Sequence, residues 1–336
     1  MAQKQRDFFD RLQAVAEAYL SRRKRIRRIK REKQKAKNPV RDWVESFLWA
    51  VGMVLLANQY LIQAYVIPSG SMIDTLMIGD RIFVNKLIFG PELLPGFIKL
   101  PSPVRPVRNN IIIFENPSYI SKGVAFDLAQ RIIFMATISL VDIDKELVNE
   151  NGREVMRPRA HFLIKRAAGV SGDRFMMERG EMKIRFAGED RWVDERSYNR
   201  EQNWNHKISR LINENQYTPL EMAGKAAAWQ DLGLQVPERL RSAVQNANNL
   251  RYPDYLAHER ARLETLRGAM PHDRRYSALL AKHNLGWYVP EGRIFPLGDN
   301  RDNSRDGRYF GPVRLTKVLG KGVVIFWPFG RAGSIR

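Results

Sequence analysis

The segment IGDRIFVNKLIF, from Ile78 to Phe89, indicates the fold class of this chain. It is rich in branched and aromatic residues and has glycine at its borders, a pattern typical of a β-strand. The segment from Asn110 to Phe114 has the same character. We therefore expect a mainly β fold. Further strand-like segments occur at Phe162 to Ile164, Met182 to Phe186, Arg293 to Leu297 and Val323 to Trp327.

Two segments interrupt this strand-like pattern. The first, from Pro91 to Pro106, contains five prolines and is expected to be a loop. The second, residues 194–282, is polar and charged, and its stretches ERLRSAVQNANN and LAHERARLETLRGAM have a weak helical periodicity. We expect residues 194–282 to be a helical insertion within a β-rich core formed by residues 68–193 and 283–336.

An uncharged apolar run, SFLWAVGMVLLANQYLIQAYVI, extends from Ser46 to Ile67. A helix of this length would span roughly 33 Å, and a hydrocarbon core is about 30 Å thick. We expect residues 43–67 to form a transmembrane anchor. A buried core helix and a cleaved signal peptide are the alternatives, although no small-x-small cleavage site follows the run. Aromatic residues suited to the two membrane interfaces lie toward its ends: Trp43, Trp49, Tyr60 and Tyr65.

The charge of the chain is concentrated just before this run. Its 336 residues include 56 Lys and Arg against 36 Asp and Glu, a formal net charge of +20. Eleven basic residues and one acid, Glu32, lie between Arg22 and Lys37. Such an excess suits nucleic acid or an anionic membrane. Because basic residues accumulate on the cytoplasmic side of a membrane segment, we expect residues 1–42 to be a cytoplasmic arm and the chain after Ile67 to lie outside.

A second apolar stretch, from Gly123 to Asp142, is too short to cross a membrane. It contains Asp127 and Arg131, so that only ten consecutive residues are uncharged. A membrane-spanning helix needs about twenty apolar residues. We expect residues 123–145 to be a non-spanning insertion, either an interfacial helix or a core element.

The composition excludes several kinds of site. Without cysteine the chain has no disulfide, no thiolate nucleophile and no cysteine-ligated metal, and its five histidines lack ligand-like spacing. Asp302, Ser304 and Asp306 match the opening of a calcium loop, but the twelfth position is Val313 where such a loop needs glutamate. We expect neither a metal nor a cofactor.

Two short strings carry residues that suit nucleophilic catalysis. PSGSMIDTL, from Pro68 to Leu76, places two serines directly after the apolar run. KRAAGVSGD, from Lys165 to Asp173, places a lysine at the end of the apolar segment HFLI. Burial among apolar neighbours lowers the pKa of a lysine by up to several units, so that it can act as a general base. A serine and such a lysine form a recognised catalytic pair.

Together with GDNRDNSRDGRYFGPV, from Gly298 to Val313, these strings resemble bacterial type I signal peptidase, a membrane-bound serine endopeptidase that removes signal peptides from exported proteins. The resemblance covers residues 42–122, 159–187 and 287–329. It implies a signal-peptidase-like antiparallel β fold and a single-pass protein of the cytoplasmic membrane with an extracytoplasmic catalytic domain. It also implies cleavage of preproteins after small-x-small sites such as Ala-x-Ala.

The resemblance implies a role for each matching residue. Ser71 is similar to the family's nucleophile and Lys165 to its general base. The backbone N–H of Ser71 and the hydroxyl of Ser69 resemble the oxyanion hole. Ser304 looks like the residue that orients the lysine by a hydrogen bond. Three further residues resemble a supporting ion-pair network, Asp306 with Arg166 and Arg308, whereas a satisfied polar turn is an equally good interpretation of Asp299, Arg301 and Asp302.

The implied substrate requires shallow apolar pockets, because the residues before the cut are small. Four apolar residues flank the two motifs and resemble pocket-lining positions, although each could equally belong to the core. The substrate main chain would be held as an added strand. The four residues are Ile67, Met72, Leu76 and Ile164.

One residue departs from the family pattern. Where the pattern SMxPTL has proline, this chain has Asp74, so the loop after Ser71 loses a fixed φ and gains a carboxylate. A carboxylate beside Lys165 would favour the protonated lysine and oppose catalysis, and we therefore expect Asp74 to point toward solvent. If Asp74 disables the site, the alternative is a catalytically impaired membrane adaptor with a lipid- or RNA-binding arm.

Other families with related chemistry fit less well. Autocleaving repressors share the Ser/Lys pair but would have a DNA-binding domain where this chain has an apolar run, and the eukaryotic and archaeal signal peptidases use histidine in place of Lys165. We expect exported preproteins and membrane lipids as partners, and no specific nucleic acid. The insertion at 194–282 is either a solvated elaboration or a docking site for the translocon or a regulatory partner.

Overall fold

The computed structural model describes residues 19–29, 38–93, 99–137, 141–150, 153–250 and 254–335. The chain divides into two compact units, Met1–Val54 and Leu55–Arg336. The helices are α1 (Pro39–Tyr60), α2 (Val124–Ala136), α3 (Glu195–Glu201), α4 (Tyr217–Asp231), α5 (Glu238–Asn248), α6 (Tyr255–Ala269), α7 (Arg274–Leu285) and α8 (Gly307–Phe310). The strands before α3 are β1 (Ile62–Val66), β2 (Arg81–Asn85), β3 (Ile111–Glu115), β4 (Lys145–Glu150), β5 (Arg153–Pro158), β6 (Phe162–Gly169), β7 (Arg174–Glu178), β8 (Glu181–Arg185) and β9 (Val193–Asp194). The remaining strands are β10 (Trp287–Tyr288), β11 (Arg293–Leu297), β12 (Val313–Arg314), β13 (Val318–Trp327) and β14 (Gly333–Ser334).

An antiparallel sheet forms the centre of the second unit. Its strand order is β1-β2-β13-β3-β6-β11-β12, with β14 paired to β13. All six strand-like segments of the sequence contain or overlap strands, five of them in this sheet and Met182 to Phe186 in a smaller one. The prediction of a mainly β fold is confirmed.

The central strand β3 is buried on both faces. Successive side chains of a strand point to opposite sides of the sheet. Ile111 and Ile113 accordingly lie in one apolar cluster, and Ile112 and Phe114 lie in another. The neighbouring strand β13 approaches β2 closely at Gly320, where a Cβ would lie 2.6 Å from the carbonyl oxygen of Asn85. Only glycine allows this approach.

A smaller sheet packs against β11 of the main sheet, and a group of helices lies between its strands β9 and β10 in the chain. The small sheet has the order β10-β7-β8-β9, and the stacked rings of Phe175 and Phe295, 4.6 Å apart, join it to β11. Helices α4 to α7 precede β10 and bury Tyr217, Leu220 and Leu263 among others. Helices therefore occur in the region where the sequence indicates them. The boundaries of the insertion at 194–282 stay a prediction.

The apolar run at residues 46–67 forms two elements instead of one helix. Helix α1 ends at Tyr60, and the residues that follow form β1, which pairs with β2. The backbone N–H of Lys86 donates to the carbonyl oxygen of Leu61 at 2.9 Å and holds the junction to the end of β2. The prediction of a helix that continues to residue 67 is wrong, because the side chains of β1 are needed in the core of the sheet.

Among the helices that the structure describes, none is long and apolar enough to cross a membrane. Helix α1 has 22 residues, but its first turns contain Arg41, Asp42 and Glu45, and Gln59 lies near its end. These side chains lower its mean hydropathy. The anchor at residues 43–67 is not confirmed.

The predicted cytoplasmic arm and the second apolar stretch are described in part. Residues 19–29 are helical and exposed, whereas residues 1–18 and 30–37 of the arm lie outside the described residues. In the second stretch, α2 has 13 residues, and a helix of that length spans about 20 Å. Phe134 of α2 packs against the core, and residues 138–140 lie outside the described part.

Candidate active site

A short 3₁₀ turn at Gly70–Met72 presents Ser71. The chain reaches this turn directly from β1, and backbone hydrogen bonds between Ile67 and the Gly79–Asp80 turn, each 2.9 Å long, fix its approach. Ser71 is buried. Ser69 has extended backbone angles, is exposed, and makes no side-chain hydrogen bond that caps the turn.

Strand β6 brings Lys165 to the same place. Lys165 pairs with Ile112 of the central strand and is buried, with a relative exposure of 3 %. Its Nζ donates a hydrogen bond to Ser71 Oγ at 2.6 Å and another to the carbonyl oxygen of Ile164 at 3.0 Å. The two residues that the motifs single out are thus in direct contact, although 94 positions separate them.

Burial shapes the charge state of this lysine. Loss of solvent lowers the pKa of Lys165 to about 8. The carboxylates of Asp306 and Asp299 act in the opposite direction, and the charge of Arg308 adds to the lowering. At pH 7 about a tenth of the lysine is therefore neutral, far more than at the ordinary pKa of 10.5. A neutral amine next to a serine hydroxyl can accept its proton.

Arg166, the next residue of β6, makes a buried bidentate ion pair. Its Nε and Nη2 donate to the two oxygens of Asp299 at 2.8 and 2.6 Å, and Nη2 also donates to Thr75 Oγ1 at 3.1 Å. Burial opposes ionisation of Asp299, but Arg166 outweighs it and holds the pKa of that carboxyl below its usual value. This pair links β6 to the loop that follows β11 and to the loop that follows Ser71.

Asp306 and Arg308 make a second buried ion pair. Arg308 Nε donates to Asp306 Oδ1 at 2.9 Å, and the N–H of Gly298 donates to Asp306 Oδ2 at 2.9 Å. The implied network therefore divides in two, because Arg166 pairs with Asp299 and not with Asp306. The expectation that grouped Arg166 with Asp306 is corrected in this respect.

Ser304 lies close to the dyad without the expected hydrogen bond. Its Oγ is buried and has no hydrogen-bond partner among the described residues. The bond to Lys165 that the resemblance implies is thus not formed in this conformation. Ser304 packs instead against Gly298, where a Cβ would lie 2.6 Å from Ser304 Cβ and 2.6 Å from the carbonyl oxygen of Ser71.

The loop at residues 298–303 also holds the turn that contains Ser71, by hydrogen bonds to the backbone carbonyl oxygens of that turn. The N–H of Asn300 donates to the carbonyl oxygen of Ser71 at 3.1 Å, and Asn300 Nδ2 donates to that of Gly70 at 3.0 Å. Sequence reasoning did not assign a function to Asn300 or Thr75 and left Asp299 undecided. The only sequence signal for these residues is their position in PSGSMIDTL, for Thr75, and in GDNRDNSRDGRYFGPV, for the other two.

The four residues proposed to line substrate pockets differ in exposure. Ile67, Met72 and Leu76 are buried members of an apolar cluster beneath the turn, and Ile164 is half-buried at its edge. Their pocket role stays a prediction. For the first three, burial in the cluster agrees at least as well with the alternative of plain core packing.

Asp74 points away from the dyad, as expected. Its carboxylate is exposed, accepts a hydrogen bond from Ser209 Oγ at 2.9 Å and lies 3.2 Å from Lys207 Nζ. The charges that shift the pKa of Lys165 are those of Asp306, Asp299 and Arg308. The concern that Asp74 disables the lysine finds no support in this geometry.

Comparison with known proteins identifies relatives along most of the chain. The family model described as signal peptidase, peptidase S26, matches residues 40–327. A signal peptidase I of Haemophilus influenzae is 26% identical over 89% of this chain and 76% of its own. Signal peptidase I of Aquifex aeolicus is 26% identical over 84% of this chain and 82% of its own, and that of Pseudomonas fluorescens is 24% identical over 88% and 79%.

The packing around Gly298 makes this residue a sensitive position. Gly298→Ala would place a methyl group against Ser304 and the carbonyl oxygen of Ser71, so the nucleophile turn must move. Because a displacement of about 1 Å can cost roughly 100-fold in rate, we expect peptidase activity to fall by at least about tenfold. Gly330→Ala is the matched control, since a Cβ there meets nothing within 4 Å. Equal activity of the two variants would contradict this description of the site.

Proposed function

Since the chain belongs to the signal peptidase family, peptidase S26, and is a serine peptidase, we propose that it cleaves signal peptides from exported preproteins with Ser71 as nucleophile and Lys165 as general base. The observation that supports these roles most directly is the 2.6 Å contact between Lys165 Nζ and Ser71 Oγ. The lowered pKa of the buried lysine supports them independently.

In the proposed reaction, neutral Lys165 accepts the hydroxyl proton of Ser71 as Oγ attacks the scissile carbonyl carbon. The resulting ammonium then donates this proton to the leaving amine, and the C–N bond breaks to give an acyl-enzyme. The amine that leaves is the new N-terminus of the mature protein. Lys165 next takes a proton from water as the water oxygen attacks the ester, and it then returns this proton to Ser71 Oγ as the C–O bond breaks. The signal peptide is released as a carboxylic acid, which ionises. Lys165 carries each of these protons, so the reaction requires no histidine.

The negative charge that develops on the carbonyl oxygen needs preorganised donors. We assign this role to the backbone N–H of Ser71 and the hydroxyl of Ser69. The absence of a capping hydrogen bond from Ser69 to its own turn agrees with this assignment, since that hydroxyl is not used to stabilise the turn. The loss of one such donor typically costs about 3–4 kcal/mol of transition-state stabilisation.

The sheet offers a place for the substrate main chain. Strand β1 is terminal in the described order of the main sheet and leads through Ile67 to Ser69 and Ser71. A signal peptide added as a strand beside it would be held by backbone hydrogen bonds, and apolar side chains would select small residues before the cut. Ala-x-Ala is the proposed recognition sequence. The alternative of an inactive adaptor has no comparable support, because Asp74 is exposed and paired with Lys207.

The dyad assignment predicts the effect of two substitutions on cleavage of a preprotein with an Ala-x-Ala site. Ser71→Ala removes the nucleophile, and we expect kcat to fall by about 10⁶-fold. Lys165→Met keeps an unbranched apolar stem but removes the base, and we expect a fall of about 10²–10⁴-fold. Lys86→Met is the control: Lys86 is also buried with its pKa lowered to about 8, but its amine contacts Gln59 at the end of α1. Activity retained by either dyad variant would refute the assigned roles.

We further propose that the enzyme works at a membrane surface through α1. In the part of this helix that belongs to the first unit, large apolar side chains are exposed to solvent, with Trp43 at 68%, Leu48 at 61% and Trp49 at 74% relative exposure. Exposed apolar surface of this extent favours contact with lipid. The basic residues before α1 would add attraction to anionic headgroups at that surface.

A vesicle-binding measurement tests this membrane contact. Phe47→Glu combined with Leu48→Glu places two charges on α1, and we expect binding to vesicles with anionic lipid to weaken by at least tenfold, since each charge costs about 2.5–3.5 kcal/mol in hydrocarbon. The same change at two exposed leucines of α7, Leu279→Glu with Leu285→Glu, is the control. Undiminished binding of the α1 variant would show that α1 is not the contact.

A further inference from the structure

A segment after α3, residues 207–212, crosses the active-site loop at residues 298–303. We call this segment the strap. The N–H of Ser209 donates to the carbonyl oxygen of Asp299 at 2.9 Å, and the N–H of Arg301 donates to the carbonyl oxygen of Ser209 at 3.0 Å. The strap is therefore bonded to the loop that itself holds the carbonyl oxygens of Gly70 and Ser71.

The carboxylate of Asp302 fastens the other end of the strap. It is buried and accepts hydrogen bonds from the N–H groups of Leu211 and Ile212 at 2.6 and 3.0 Å, and from Arg210 Nε at 3.1 Å. Arg210 also lies over the ring of Tyr217, 5.9 Å from its centroid. Asp302 thus joins the strap to the active-site loop, and Arg210 joins the strap to α4.

A third contact reaches the loop of the nucleophile directly. Ser209 Oγ donates to Asp74 Oδ2 at 2.9 Å, and Lys207 Nζ lies 3.2 Å from the same oxygen. Asp74 stands three residues after Ser71, at the position where the family pattern has proline. The strap consequently contacts both sides of the nucleophile turn, one through Asp74 and the other through the loop at 298–303.

We infer that the strap is a positioning element of the active site, and that Asp74 and Ser209 form the contact through which it fixes the nucleophile loop. The fixed φ that proline would give this loop is replaced by a tether to the strap. The inference rests on the proposed function, because the position of Ser71 is read from the rate of cleavage. An exposed ion pair such as that with Lys207 contributes little. Ser209 is held in place by its backbone hydrogen bonds with Asp299 and Arg301, so we assign the tether to its hydrogen bond with Asp74.

Steady-state cleavage of a preprotein by the full chain tests the tether. We expect Asp74→Ala and Ser209→Ala each to lower kcat about fivefold to tenfold, with KM within twofold, because the turn loses its preferred geometry while the substrate strand site is unchanged. The double variant should be no slower than the slower single variant, since both remove one contact. Asp74→Asn keeps an acceptor for Ser209 and should retain at least half of the wild-type kcat.

Two further measurements separate positioning from general stability. Lys183→Ala removes another exposed ion pair, with Glu178, and should change neither kcat nor the exchange described next. Amide hydrogen exchange at residues 298–303 should become faster in Asp74→Ala and Ser209→Ala at an unchanged melting temperature. Wild-type kcat in both variants, additive losses, or losses that merely follow the melting temperature would overturn the inference. If the wild type itself does not cleave, the proposed function fails, and unchanged exchange in the variants would overturn the strap separately.

Discussion

The contact between Lys165 and Ser71 is the interaction on which the rest of the site depends. A lysine that is almost fully buried would ordinarily be costly in its charged form. Here the cost appears as a pKa lowered to about 8, and a pKa in that range is what a general base needs near neutral pH. The amine is held 2.6 Å from the serine oxygen by β6, which pairs with the central strand β3, whose first four residues are buried. The sheet thus fixes the amine beside the serine hydroxyl.

Two buried ion pairs lie close to Lys165, but the lysine itself forms no ion pair with their carboxylates. Arg166 takes Asp299, and Arg308 takes Asp306, so both carboxylates near the lysine are already compensated. An uncompensated carboxylate would raise the pKa of Lys165 and reduce the neutral fraction. The same pairs join β6, the loop after β11 and the nucleophile loop into one unit. The residues that set the charge around Lys165 therefore also fix the position of the loop that contains Ser71.

Much of the fold follows from the sequence, because branched and aromatic residues mark the strands of the main sheet. The edge strand β1 was missed because its apolar residues continue the run of α1 without a break. Predicting the Ser71–Lys165 pair required the order of the motifs along the chain as well as their residue types. The pairing of Arg166 with Asp299 could not be predicted, since three similar aspartates share one polar turn and only tertiary contacts distinguish them. The strap mixes polar and apolar residues without a regular period, so no pattern in the sequence indicates its contacts.

The titration of Lys165 tests its role as general base most directly. In the full chain carrying ¹³C-labelled lysine, the Cε resonance that disappears in Lys165→Met can be followed by NMR as the pH is raised. We expect a midpoint at about 8, well below the ordinary value of 10.5. A midpoint near 10.5 would mean that the amine stays protonated under working conditions, and it would contradict the role of Lys165 as general base.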